Sequence, residues 1–180
     1  MDVDLTLCPE IPDTLAIKVF HSATSTYYAP SDLCGTGGMH RERIRANPHW
    51  NGQARYDCVY VEQDADAIGF LGLLVARVKM FFSFSFQKPY SCALVEWFTT
   101  FGDAPCEDTG LWRIVPDYDS NGGRMTSVIH IDSILRAAHI IGVSGPQPLP
   151  TDFTYGDSLD AFEMFYVNKY ADHHAHEIAF

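Results

Sequence analysis

Residues 73–86, LLVARVKMFFSFSF, decide the fold. Laid out as an extended chain, Leu74, Ala76, Val78, Met80, Phe82, Phe84 and Phe86 fall on one side, with Arg77, Lys79, Ser83 and Ser85 on the other, because side chains alternate across a strand. Alternation over this length implies one long strand. Its apolar side is too large to be left in water, since each large side chain removed from solvent contributes roughly 1.5–3 kcal/mol. The surrounding run from Phe70 to Phe86 is also strongly hydrophobic, but Arg77 and Lys79 break it near its middle, a placement too costly for a lipid span.

Reading outward, the Gln87–Tyr90 break is compatible with a turn, and residues 91–101, SCALVEWFTTF, are rich in β-branched and aromatic side chains. The 74–86 and 91–99 strands are therefore expected to pair as an antiparallel hairpin. Beyond a polar loop, LWRIVP (111–116) and RMTSVIHI (124–131) read as two short strands. They flank DYDSNGG (117–123), whose Asn-Gly step is a hairpin signal, and complete a four-stranded meander. Upstream, TLAIKVFHSA (14–23) and YDCVYVE (56–62) are further strand candidates. Between them GMHRERIRANPHW (38–50) has the polarity of a short exposed helix near 38–46 that stops before Pro48. DSILRAAHIIGV (132–143) fits a helix or a strand.

Residues 146–157 are a proline-rich loop, and 158–176 are expected to close the chain as a helix. Ser158 would be its N-cap, with a stripe of Leu159, Phe162, Phe165, Tyr166 and Tyr170. The expected architecture is mainly β (α+β): a small curved antiparallel β-barrel or roll with a C-terminal helix. It forms a single domain over 1–180, with the barrel body over 14–145.

Composition agrees with a folded body. Hydrophobic residues make up 47% and aromatics 13%, so the net charge of −11 must sit on the surface of a packed core. The five cysteines (Cys8, Cys34, Cys58, Cys92, Cys106) are odd in number and never form C-x-x-C, which argues against a disulfide framework and a zinc ribbon. The first twenty residues lack the basic start and apolar core of a secretory signal. An intracellular, non-secreted protein without a membrane span is expected.

Candidate chemistry is sparse. YADHHAHEIAF (170–180) gathers His173, His176 and Glu177, which on a helix share one face and have ligand chemistry for zinc. Their order, H-x-x-H-E, matches neither common zinc-peptidase pattern, and no further protein ligand is identifiable elsewhere. A packed helix end is the plainer account. Asp117, Asp119, Asn121 and Gly122 match the opening of a calcium loop, but its twelfth position is Val128 where a bidentate glutamate is needed, which favours a turn. GTGG (35–38) lacks the lysine and hydroxyl of a phosphate loop. With no G-x-S-x-G and no cysteine dyad, no enzymatic activity and no cofactor are expected. A metal-dependent enzyme using His173, His176 and Glu177 is the alternative.

One surface stands out by charge. Residues 39–55 carry Arg41, Arg43, Arg45 and Arg55 against Glu42 alone, a local charge of +3, which leaves −14 for the remainder. With Trp50 nearby, this segment is a candidate contact for nucleic acid or another polyanion. The competing account is a set of salt bridges within the protein or to a protein partner, because an acidic chain repels nucleic acid at long range.

The runs YYAPSDLCGTGGMHRERIRANPHW, RYDCVYV, GLLVARVKMFFSF, CALVEWFTTFGDAPCEDTGLW, SVIHIDSILRAAHI and DSLDAFEMFYVNKYADHHAHEIAF together resemble a group of uncharacterised proteins of mushroom-forming fungi. Those look like the C-terminal portion of large transposon-encoded proteins of the Kyakuja-Dileera-Zisupton and Plavaka type. The resemblance implies an accessory module, not the catalytic part, since the acidic triad and alternating α/β core of a transposase are absent. The strand pattern also looks like the barrel of bromo-adjacent-homology domains. That likeness implies a chromatin-, DNA- or protein-binding module, nuclear where chromatin is its partner, with a protein or chromatin partner favoured over a small molecule. A ring site for a methylated lysine would then draw on Trp97, Trp112, Tyr90 or Phe98, although barrel core is the plainer account of each.

Overall fold

The structure, a computed structural model, describes residue 12 and residues 14–30, 36–145 and 148–180. Cys8, Cys34, Gly35 and the first residues of the proline-rich loop lie outside the described residues. In chain order the strands are β1 (Lys18–Phe20), β2 (Ser22–Tyr28), β3 (Met39–Trp50), β4 (Gln53–Tyr56), β5 (Cys58–Glu62), β6 (Leu73–Phe86) and β7 (Lys88–Thr100). They continue with β8 (Arg113–Pro116), β9 (Thr126–His130), β10 (Ile134–Ala138), β11 (Ile140–Gly142) and β12 (Phe165–Val167), before the helix α1 (His173–Ile178).

The expected hairpin is the centre of the molecule. β6 and β7 pair antiparallel from Val75↔Phe98 to Phe86↔Lys88, turning at Gln87, whose φ is 60°. Each long strand is flanked by two short ones along its outer edge. β5 and β1 pair with successive halves of β6, and β9 and β8 with successive halves of β7. β8 also pairs with β12, β12 with β11, and β5 with β10. Since β10 and β11 are separated by His139 alone, one extended stretch borders β5 with its first half and β12 with its second. The sheet thereby nearly closes into a barrel, the small curved antiparallel architecture read from the sequence.

Two cores share the central strands. Inside the barrel lie Tyr60, Phe70, Val75, Phe98, Ile114 and Phe165, with Trp112 and Val167. On the outer face Val59, Ala76, Val78, Phe81, Ala93 and Val95 pack against Ile44 and Ala46 of β3. The first half of β6 is thus buried on both faces, which a one-sided alternation does not anticipate. A register shift between Val78 and Met80 then inverts the alternation, so that Phe81 and not Phe82 continues the outer core.

Three local readings are corrected. Residues 38–46 are not a helix: Gly38 ends a turn and 39–46 belong to β3, which pairs with β2 and β4. From Arg41 on its odd positions are polar and its even positions Ile44 and Ala46 are buried, a period of two that the density of arginines disguises. Pro48 is accommodated at a register shift between Asn47 and Trp50, and Asn51–Gly52, both at positive φ, make the tight turn into β4. The helix expected over 158–176 is confined to α1. Its N-cap is Asp172, whose carboxylate accepts from the Ala175 N–H at 2.8 Å, and not Ser158. Within 158–176, Phe165 and Val167 point into the barrel from β12, because closing the sheet needs a strand there. Finally, β8 and β9 do not form a hairpin with each other. Both lie along β7, and DYDSNGG closes only a local bridge, Tyr118↔Arg124. The ambiguous 132–143 stretch is β10 and β11, preceded by a 3-10 turn.

Candidate functional site

The three arginines on β3 occupy alternate positions, so Arg41, Arg43 and Arg45 leave the sheet on one side while Ile44 and Ala46 leave on the other. Their cross-strand partners on β2 are Thr26, Thr24 and Ser22, which share the same outward face. Arg55 joins them from β4, opposite Asn47. The Arg45 guanidinium lies 4.6 Å from the Trp50 ring centre and that of Arg55 5.8 Å from it. Arg55 also pairs with Asp57 at 2.9 Å. Arg41 and Arg43 are exposed and, among the described residues, make no ion pair. The structure therefore brings together all four arginines of the candidate surface. The result is a strip of cations at a repeat of about 7 Å, edged by hydroxyls, with no carboxylate at the β2 and β3 positions of that face.

The aromatic candidates are not brought together. Trp112 and Phe98 are buried inside the barrel, Trp112 against Phe70 at 5.4 Å. Trp97 belongs to the outer core and donates from Nε1 to Ser127 Oγ at 2.9 Å. Tyr90 stacks on Phe84 at 5.1 Å near the hairpin turn, about 23 Å of strand away from Trp97. Of the terminal cluster, His173 Nδ1 and Glu177 Oε1 meet at 3.1 Å, one helical turn apart. His176 packs against the Tyr170 ring instead, at 5.8 Å. Among the described residues no group of three histidine, cysteine or acidic side chains is placed to hold a metal ion. In DYDSNGG, Asp119 Oδ1 accepts from the N–H groups of Asn121 and Gly123, the bonding of a turn.

Residues that the sequence reading did not single out form a second site. Among the described residues Arg77 and Arg136, 5% and 4% exposed, are the buried polar or charged ones, and both line one cavity of about 450 Å³ at the barrel mouth. Arg136, on β10, donates from both terminal nitrogens to Asp172, at 2.8 and 2.6 Å. It also lies 3.5 Å from Glu42, 3.2 Å from His174 Nδ1 and 4.6 Å from the Tyr27 ring centre. These bonds hold the Asp172 carboxyl down at about 2. Burial, aided by the Arg136 charge, lowers His174. Arg77, on β6, donates to Asp160 at 2.7 Å and lies 3.7 Å from Glu96, which Lys79 also pairs. The Nε–H of each buried arginine has no acceptor, and an unmet buried donor costs about 1–3 kcal/mol. Cys58, beside them in the cavity wall, is pushed up to about 12 by burial, so its thiol is inert. The signal in the sequence is a cation set among apolar residues of a strand, at Arg77 in LLVARV and at Arg136 in SILRAA.

A scan against protein-family models finds no match, and comparisons with curated proteins and with solved structures find none either.

Proposed function

We propose that this chain is a non-catalytic interaction module that contacts nucleic acid through the outward face of β2 and β3. The observation that carries the reading is the placement of Arg41, Arg43 and Arg45 on one outward strand face, the first two exposed and Arg45 half-buried, beside the hydroxyls of Thr24 and Thr26. A run of guanidinium groups on a flat face meets phosphates along a backbone without reading bases, since phosphate contacts position and base-edge contacts specify. Trp50 offers a ring beside that run. The resemblance to the C-terminal portion of transposon-encoded proteins supports an accessory module, and the likeness to a bromo-adjacent-homology barrel supports a protein or chromatin partner and a nuclear location. Among the described residues no helix is long and apolar enough to cross a membrane.

Fluorescence anisotropy with labelled single- and double-stranded oligonucleotides over a salt series is the direct test. The logarithm of the affinity is expected to fall linearly with log salt, with a slope of about 0.9 per duplex phosphate neutralised. Replacing Arg41, Arg43 and Arg45 by alanine should lower that slope by roughly 2–3 and weaken binding to all sequences alike. A parent protein without affinity for either form at low salt would sink the reading.

A further inference from the structure

The cavity at the barrel mouth calls for a different ligand. Its volume, about 450 Å³, is that of a small-molecule site. Arg77 decides its chemistry. A guanidinium offers donors on every nitrogen, yet among the described residues the one hydrogen bond of this buried side chain runs to Asp160. Its Nε–H meets no acceptor; Glu96 lies no closer than 3.7 Å and is shared with Lys79, and Asp160 has a side chain 58% exposed, so water screens that bond. Four arginines (Arg43, Arg55, Arg77, Arg136) line the cavity against three carboxylates (Glu42, Asp57, Asp172) in a chain that is otherwise strongly acidic. Ala54, Ala138, Ile140 and Leu159 supply apolar wall, and Tyr56 and Tyr155 supply rings.

We propose that this cavity binds a small organic oxyanion, a carboxylate or phosphate monoester on a compact apolar or aromatic body, with its acidic group on Arg77. The planar fork of a guanidinium matches both groups, which accept two parallel N–H bonds. The site is distinct from the nucleic-acid face: Arg41 and Arg45 do not line it, although Arg43 and Arg55 do.

Nuclear magnetic resonance reads the anchor directly, because arginine Nε–H groups give their own signals in proton–nitrogen correlation spectra. Benzoate and phenyl phosphate serve as carboxylate and phosphate probes, with benzamide as the neutral match. Saturable movement of the Arg77 Nε–H signal by benzoate alone assigns a carboxylate ligand, and by phenyl phosphate alone a phosphate; both supports the shared oxyanion chemistry. Benzamide should leave the signal in place. Ala54→Trp, which fills the cavity from β4 and leaves both buried arginines intact, should weaken the probe about tenfold or more, while Arg41→Ala should not. The wild-type titration stands by itself if Ala54→Trp does not fold. No movement with either acid, equal movement with benzamide, or undiminished binding in a folded Ala54→Trp protein would mean that the cavity holds water only, and would overturn the proposal. None of these outcomes depends on whether oligonucleotides bind.

Discussion

Arg136 and Arg43 both line the barrel-mouth cavity, yet they live in opposite settings. Arg136 is held by two bonds to Asp172, a longer contact to Glu42 and the ring of Tyr27. Arg43, next to Glu42 in the chain, has no ion pair among the described residues and is exposed. Burial makes the difference. A guanidinium taken out of water must recruit carboxylates from wherever the chain can supply them, and so becomes a tie between distant segments. Arg136 joins β10 to the residue that caps α1 and to β3, and Arg77 joins β6 to Asp160, 83 residues on. An exposed arginine has no such obligation. Among the described residues Arg55, Arg77, Lys79 and Arg136 pair with carboxylates, whereas Arg41 and Arg43 are exposed on one strand face and do not.

The largest effect that would break this contrast is on stability. Arg136→Met strands Asp172 and Glu42 beside an apolar side chain, and removing one partner of a buried pair is expected to cost about 3 kcal/mol, the low end of the range because Asp172 is partly exposed. Urea denaturation measures it. A cost no greater than that of Arg41→Ala would show that the buried pair ties nothing.

Acid should expose the same tie with a smaller effect. Asp172 is held at about 2 in the folded protein, below its ordinary 3.8, so its contribution is complete above the ordinary value and is lost as pH falls from there toward 2. His174 is also lowered from its ordinary 6.5, mainly by burial. The folded state therefore prefers neutral histidine, and that stability is present above the ordinary value and lost as pH falls below it. Urea midpoints should decline in two stages on acidification. In Arg136→Met the stage below the ordinary carboxylate value should shrink, the Ala175 N–H bond to Asp172 keeping part of it, while the histidine stage persists because burial, its largest cause, remains. An unchanged lower stage in the variant would remove the Arg136–Asp172 account.

What the sequence revealed and what it hid follow from the same physics. The β6–β7 hairpin was legible because a long strand with one apolar face has few alternatives. The β3 strand was mistaken for a helix because it exposes one face, and Arg41, Glu42, Arg43 and Arg45 in near succession mask the alternation that Ile44 and Ala46 complete. Residues 158–172 were mistaken for helix because Leu159, Phe162, Phe165, Tyr166 and Tyr170 fall at helical spacing by coincidence. Their burial answers to barrel closure, a contact with β8 and β11 that no local pattern encodes. The four arginines of the basic segment were legible as a group, by charge alone. Arg77 was read as part of the strand's polar side and as an obstacle to membrane insertion, although a cation in a doubly apolar strand announces a buried partner. His174 left no signal, since its role depends on Tyr27 and Arg136, far away in the chain.

The smallest effects sharpen the contrast from the exposed side. Arg41→Ala and Arg43→Ala should each change stability by less than about 0.5 kcal/mol, because an exposed side chain without a carboxylate partner leaves nothing stranded when removed. Each should still lower the salt slope of nucleic-acid binding by about 1, since counterion release counts phosphates met and not contacts within the fold. Arg45 lies between the two classes. It shares the exposed face, but its guanidinium covers Trp50 at 4.6 Å, a contact worth about 0.5–1 kcal/mol at such a site. Arg45→Ala should therefore lower both stability and slope, and Arg45→Lys should restore the slope more fully than the stability, because an ammonium keeps the charge but lacks the flat face that stacks. If all three alanine variants instead lose stability equally and leave the slope unchanged, the strip is an internal scaffold and not a face that meets phosphates.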